Sequence, residues 1–304
     1  STYQSYYVGG LVGNTVQGYR PLLVNNAFSG SISITVSGTA SGITLYVGGV
    51  VGWLIQDNMY GSYSSGTITV GNISNQSANV SVGGLIGYFW GAGPSIVDTS
   101  YSTTIINLGS LTGASATGSV GGLIGSGGNG NCHTNQGGTC GNITNSYAVG
   151  SITTGSGYYA GGIFGRIDDY STPNAFGPYI FDKVYASTTI VNPTAANIGG
   201  FVGYFNEGPL SDTWQSNYLR STTIFSNAYW NSSIASSAFG SNPSNNSTSG
   251  LTGFGGRQSI AQAYAKSPQS SFVQYTQMLT DVIESAHERL NSLALVMSEI
   301  PEAV

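Results

Sequence analysis

The chain has 304 residues, of which 46 are Gly, 9 are Pro, 7 are Lys or Arg and 12 are Asp or Glu, for a formal net charge of −5. The few basic residues are scattered rather than gathered into a stripe, which argues against a nucleic-acid binder. A composition 40% apolar and 12% aromatic is that of a chain that folds, the glycines lack collagen's third-position spacing, and no run of about 18 apolar residues predicts a membrane span.

The chain opens at Ser1 with neither Met nor a charged-then-apolar leader, as a processed mature chain would, and as a trimmed one would too. A Tyr-rich stretch, Ser1 to Tyr7, reads as a strand. Directly after it begins the strongest signal in the sequence, a Gly-Gly pair followed by two apolar residues and a third Gly. It recurs at Gly9-Gly10, Gly48-Gly49, Gly83-Gly84, Gly121-Gly122, Gly161-Gly162 and Gly199-Gly200, with spacings of 39, 35, 38, 40 and 38 residues. Between copies, Ser and Thr alternate with Ile32, Ile34 and Val36, or with Ile68 and Val70, at the period of a half-buried strand. Two short strands per repeat are therefore expected. The glycines would mark corners, needed for positive φ or for close approach of stacked backbones. A near-constant period with insertions at one place, such as Phe89 to Val97 and Ile167 to Pro178, predicts a solenoid. No helical pattern follows any copy, so the glycines are not a dinucleotide fingerprint.

Several residues carry candidate chemistry. Asn-x-Ser/Thr sequons stand at Asn72, Asn75, Asn79, Asn142, Asn231, Asn245 and Asn246, although a chain rich in Ser and Asn supplies some by chance. Cys132 and Cys140 lie inside a Gly- and Asn-rich loop, Ser126 to Gly141; a loop-clipping disulfide is preferred over two unpaired thiols. Adding His133 matches no zinc pattern. Arg166, Asp168, Asp169, Asp182 and Lys183 hold five of the eleven charges before Arg257. They read either as a calcium or glycan-processing site or as a solvated loop with local ion pairs, the plainer reading being preferred. Tyr6, Tyr7, Tyr46, Trp53, Tyr88, Phe89, Trp90, Tyr158, Tyr159, Tyr204 and Phe205 cluster beside the Gly motifs. They would either stack within the solenoid or line a face for sugars or another protein. His133 and His287 suggest no Ser/His/Asp constellation.

After Gly256 the composition changes, and eight of the charges fall in the last 48 residues. Leu279, Ile283, Ala286, Leu290, Leu293, Met297 and Ile300 step by 4 and 3 in alternation, a heptad seam that predicts a helix ending at Pro301. It would lie on the chain's own flank or pack against another subunit.

The Gly-Gly-Leu-Val/Ile-Gly core, with Asn145-Ser146-Tyr147-Ala148-Val149-Gly150-Ser151-Ile152 before it, resembles the GLUG repeat of large bacterial and archaeal surface proteins, including adhesins and some secreted immunoglobulin A peptidases. Asn227-Ala228-Tyr229-Trp230-Asn231 and Gly250-Leu251-Thr252-Gly253 resemble the closing unit of such arrays, so the resemblance covers roughly residues 5 to 255. It implies a right-handed β-helix-like solenoid outside the cell, with no catalytic activity in the repeat itself.

The expected architecture is all-β: a parallel β-solenoid of about six repeats over residues 1–256, then a helical segment over 257–304 that caps the solenoid or contacts a second subunit. The expected role is an extracellular structural or adhesive surface protein, self-assembling through its solenoid ends. Tyr3, Tyr6, Tyr7 and the heptad-seam residues are its candidate contacts. Expected partners are further copies of the chain and a cell-surface glycan or protein, with no cofactor, metal, nucleic acid or membrane span. A viral or phage fibre built on the same solenoid and a glycan-active β-helix enzyme are the alternatives.

Overall fold

The computed structural model describes residues 3–15, 22–37, 41–91, 95–129, 141–168, 179–192, 197–206, 223–241 and 251–254. All of these belong to the compact unit Ser1–Ser259. The predicted helix from Ser270 to Ile300, like Cys132, Cys140, His133, Asp169, Asn245 and Asn246, lies outside the described residues.

The described chain is a parallel β-solenoid. Its first sheet stacks Tyr3–Gly9, Gly42–Gly48, Ala78–Gly83, Thr117–Gly121, Tyr158–Gly161 and Ile198–Gly199, all parallel. The first glycines of successive motifs sit opposite one another: Gly9 with Gly48, Gly48 with Gly83, Gly83 with Gly121, Gly121 with Gly161, and Gly161 with Gly199. Each repeat is therefore one coil, and five full turns separate the first motif from the last, a rise of about 24 Å at one strand spacing per turn.

Each coil has more strands than the sequence pattern predicts. After the glycine bend comes a second sheet, running from Val12–Asn14 to Phe239–Ser241, then a third made of three- and four-residue strands such as Ile96–Asp98 and Gly141–Thr144. A fourth returns the chain along Ala27–Ile34, Tyr63–Val70 and their equivalents, and a two-stranded ladder joins Ile73–Ser74 to Leu111–Thr112. Repeat-length variation concentrates between the second and third sheets. There Val51–Ile55 runs almost directly into Asn58–Tyr60, whereas longer segments separate Ile124–Asn129 from Gly141–Thr144 and Val202–Asn206 from Ile224–Ser226.

The glycine bend owes its sequence to close approach, not to positive φ. A Cβ on the second glycine, as at Gly49, Gly84 or Gly122, would strike the carbonyl oxygen of its counterpart one coil on. It would also strike the fourth-sheet residue beneath, Ser64, Ser102 or Ala148. A Cβ on the first glycine would strike the backbone of the second sheet in its own coil, and one on the third would strike the coil before. None of these glycines has positive φ. Left-handed residues recur instead at the corner between the third and fourth sheets, where Asn25, Gly61, Thr99, Asn145, Lys183 and Asn227 fall, and Gln56 takes the same conformation between the second and third. For Thr99 and Lys183 this conformation costs on the order of 1 kcal/mol. Inter-coil hydrogen bonds hold it there, the Thr99 amide donating to the Thr144 carbonyl and the Lys183 amide to that of Ser226.

Beside this corner runs a serine ladder. The amides of Asn26, Ser62 and Ser100 donate to the hydroxyls of Ser62, Ser100 and Ser146, one coil on, at 3.1–3.2 Å. Each of these hydroxyls in turn donates to the carbonyl two residues back.

Pinching by the glycine bend splits the interior. One core lies between the second, third and fourth sheets, around Leu54, Met59, Phe89, Ile143, Phe181 and Phe205. The other lies between the first and fourth sheets, around Leu45, Val80, Ile68, Ile106, Ile152 and Tyr158. The fourth-sheet row facing the bend is Phe28, Ser64, Ser102, Ala148, Ala186, Trp230. Small residues fit under the middle coils, and a large ring fits at each end. The Ser64 hydroxyl donates to the Gly84 carbonyl, and that of Thr188 to Gly162 at 3.1 Å, so the pinch is also hydrogen-bonded.

A methyl group at the bend has no space to enter without parting two coils. Gly84→Ala is expected to cost at least about 3 kcal/mol in urea unfolding. Gly71→Ala, whose nearest new neighbour is the Ile34 carbonyl oxygen at 3.7 Å, is expected to stay within about 0.5 kcal/mol of the parent.

Candidate functional site

On the outside of the glycine bend the first and second sheets form an inner corner, and alternation of side chains sends two rows into it. From the first sheet come Tyr7, Tyr46, Ser81, Ser119 and Tyr159. From the second come Asn14, Trp53, Tyr88, Ser126, Arg166 and Tyr204. At one end the rings pack on one another. Tyr7 lies 4.9 Å from Trp53, Tyr46 stacks on Tyr88 at 4.6 Å with planes 12° apart, and Trp53 stacks on Trp90 at 5.9 Å. In the middle the walls narrow to hydroxyls, the buried Ser81 and Ser126 meeting at 2.7 Å while Ser81 donates to the Gly87 carbonyl at 2.6 Å. At the other end the Arg166 guanidinium sits 4.8 Å from the Tyr204 ring centroid and 6.0 Å from that of Tyr159.

These aromatics divide by face. Phe89, Tyr158 and Phe205 are core residues, fully buried. Tyr46 forms the floor of the corner, where burial, then Tyr88 and Tyr7, push its phenol well above the ordinary tyrosine range. Tyr7, Trp53, Tyr88, Trp90, Tyr159 and Tyr204 are half-buried along its rim. A separate ladder lies beside the left-handed corner, where Tyr63, Tyr101 and Tyr147 stack at 4.8–5.0 Å with planes within 5° and Tyr185 and Tyr229 continue the register. Sequence adjacency to glycine points to the first group, whereas the ladder tyrosines stand far from the glycine pairs.

Of the charged group, the Asp168 side chain and Asp169 lie outside what is described, and the other three residues lie apart. Arg166 faces the aromatic corner, while Asp182 and Lys183 lie at the end of the third sheet, where the Asp182 carboxylate accepts from the Asn227 amide at 3.2 Å. Asp98 at the same corner accepts from the Thr144 hydroxyl at 2.6 Å and the Asn145 amide at 2.8 Å. These carboxylates fasten one coil to the next. Among the described residues no three His, Cys, Asp or Glu side chains gather as metal ligands, and no helix is long and apolar enough to cross a membrane.

Among the sequons, Asn72 and Asn79 are exposed and Asn75 and Asn142 half-buried. The half-buried Asn231 commits its amide nitrogen to the Ser187 hydroxyl at 3.1 Å. Tyr3 is 71% exposed, its hydroxyl 3.2 Å from that of Ser77.

Asp57 is the residue that sequence reasoning missed. It follows Gln56, a left-handed residue, at the bend between the second and third sheets. Its side chain is wholly buried and neither carboxylate oxygen has a hydrogen-bond partner. Burial pushes its pKa up from the ordinary 3.8 to about 6; the Thr15 hydroxyl nearby, already accepting from the Ile55 amide, offsets only part of this.

No protein-family model matches the chain, and no curated protein matches it.

Because the folded state holds the Asp57 proton more tightly than the unfolded chain, its contribution is fully present below about pH 4. It is lost as pH rises through about 6. Asp57→Asn is therefore expected to stabilise the protein by about 1–3 kcal/mol at pH 7. The two proteins are expected to converge near pH 4, with urea unfolding across pH 4–8 as the measurement.

Proposed function

We propose that the chain is an extracellular structural and adhesive surface protein that assembles with further copies of itself through the ends of its solenoid. The observation that carries this reading is the bare first coil. At the bend position, Val50, Leu85, Leu123, Ile163 and Phe201 are completely buried, whereas Leu11, hydrogen-bonded into the same row, is 50% exposed. Tyr6 occupies the core position that Leu45 and Val80 fill at 1% and 0% exposure, yet it is 45% exposed. Among the described residues the strand Tyr3–Gly9 has a neighbour on one side only, which leaves its outer amides and carbonyls as the open edge of the described sheet.

A partner that covers this end needs parallel edges in the same outline. Another coil of this chain supplies them. The opposite end is unlike it, because Phe225 and Phe239 are 6% exposed and Ile190 and Leu251 are 9% exposed. Unlike ends favour head-to-tail stacking, which keeps every sheet parallel across the junction and extends into a filament. A two-fold pairing of first coils would turn the strands antiparallel.

The finer features of the reading rest on the resemblance and general handedness for the coil, on the sequons, on the cysteine spacing and on the heptad seam. They are a right-handed coil, a glycosylated exterior with Asn72 and Asn79 best placed to carry sugar, a Cys132–Cys140 clip and a subunit-contact helix around Leu279 to Ile300.

Replacing a buried apolar contact of Leu size by a charge removes about 3 kcal/mol, or about 100-fold in association. Leu11→Glu is expected to shift the association midpoint by at least that factor in light scattering over a concentration series, with unchanged melting. A parent protein that stays monomeric at the highest attainable concentration overturns the self-assembly reading.

A further inference from the structure

We infer that the outer face of the fourth sheet binds the growing surface of an ice crystal. Its strands Ala27–Ile34, Tyr63–Val70, Ile105–Leu108, Ser151–Thr154 and Thr189–Val191 hold no charged residue. Where the sequence alternates Ile with Ser and Thr, a buried Ile sits between two outward side chains, as in Thr67-Ile68-Thr69 and Ser151-Ile152-Thr153. Stacking aligns these outward side chains in two columns. One runs Ser31, Thr67, Ile105, Ser151, Thr189, and each member pairs in register with the next. The other runs Ser33, Thr69, Asn107, Thr153, Val191 in the same register and is exposed throughout. Among the described residues none of the hydroxyls in either column is hydrogen-bonded within the protein.

The face is also flat. Tyr63, Tyr101 and Tyr147 each lie four residues before a member of the first column, on the same side of the sheet. Their rings repeat at 5.0 and 4.8 Å with planes 3° and 5° apart. Ordinary sheets rotate by about 20–25° from strand to strand, which would fan such rings open. The columns therefore approximate a rectangular lattice, with periods of about 4.8 Å along the axis and about 6.7 Å along each strand. Ice presents rows of oxygen at similar spacings. Hydroxyls hold water oxygens by hydrogen bonds, and the methyl groups of Thr, Ile105 and Val191 cage water between them. A charged partner has nothing here to pair with, and an apolar one would leave the hydroxyls unpaired. The columns span about 13 Å by 24 Å, far below the roughly 800 Å² that each copy contributes to a stable protein–protein interface, which argues against a second copy as the occupant. A crystalline polysaccharide would pack its sugar faces on rings laid flat, whereas these tyrosines cover one another face to face. The inference specifies the adhesive half of the proposed function and rests on that reading, but it uses neither Leu11 nor Tyr6.

The test is partition of the full chain between slowly grown ice and the surrounding liquid, read by tryptophan absorbance, with the gap between freezing and melting points of the solution measured beside it. Enrichment in the ice and an open gap are expected. Thr69→Tyr, which sets a ring on the exposed second column, is expected to lower both at least about tenfold with the thermal unfolding midpoint of the parent. Asn107→Thr, which completes a run of threonines from Thr69 to Thr153, is expected to raise both. Leu11→Glu is expected to keep the enrichment while abolishing association, so failure of this face and failure of self-assembly are separately visible. Exclusion of the parent from ice, undiminished enrichment in Thr69→Tyr, or lowered enrichment in Asn107→Thr overturns the proposal. So does Thr69-dependent binding to crystalline chitin or cellulose in place of ice.

Discussion

The whole architecture depends on two backbones approaching at the glycine bend more closely than any Cβ allows. Because the second glycine of each motif rests on the carbonyl of its counterpart one coil on, and on Ser64, Ser102 or Ala148 beneath, the loop pinches inward at a fixed point in every turn. The pinch divides the interior into two cores and turns the first and second sheets toward each other on the outside. That outer corner is where Tyr46, Trp53 and Tyr88 meet, so the aromatic site results from the same contact that makes the stack compact.

With few charges available, the coils are fastened by neutral hydrogen bonds and by ring stacking. The serine ladder, the tyrosine ladder and the bonds from Asp98 and Asp182 to the coil beyond all run along the axis. Axial interactions of this kind add coil by coil and stop wherever the stack stops, as expected for a structure in which each repeat contacts its neighbours alone. Among the described residues the first coil therefore keeps the full edge and core valence of an interior coil while lacking a neighbour on its outer side. This is the physical basis for reading the molecule as one that stacks. Among the described residues Asp57 is the exception to the pattern, a carboxylate taken out of water, which makes the second coil a place where stability is sensitive to pH.

Much of the fold is legible in the sequence because the constraint at the bend admits one residue type. Gly-Gly at a period of about 38 fixed the repeat count, and the Ile/Thr alternation of strands such as Tyr63–Val70 marked the half-buried sheet. The third sheet was not legible, since Ile96–Asp98 is too short to show a period of two. Nor was the left-handed corner, because its position recurs while its residue varies from Asn25 to Thr99 to Lys183, held by inter-coil bonds that no local pattern records. The face taken by each aromatic was not legible either. Phe89 and Tyr88 are neighbours in sequence, yet one is core and the other lines the outer corner, since a single step along a strand reverses its face. A lone Asp57 in a polar segment reads as a surface residue, and only the packed coils reveal its burial.

The central claim is that each repeat is one coil whose second glycine touches that of the next. Glycine-selective carbon labelling with through-space carbon–carbon correlation by NMR tests it directly. Contacts within about 5 Å are predicted for Gly49 with Gly84, Gly84 with Gly122, and Gly122 with Gly162, one strand spacing apart. Two coils per repeat would place these glycines about 9.6 Å apart, and absence of the cross-peaks would contradict the account.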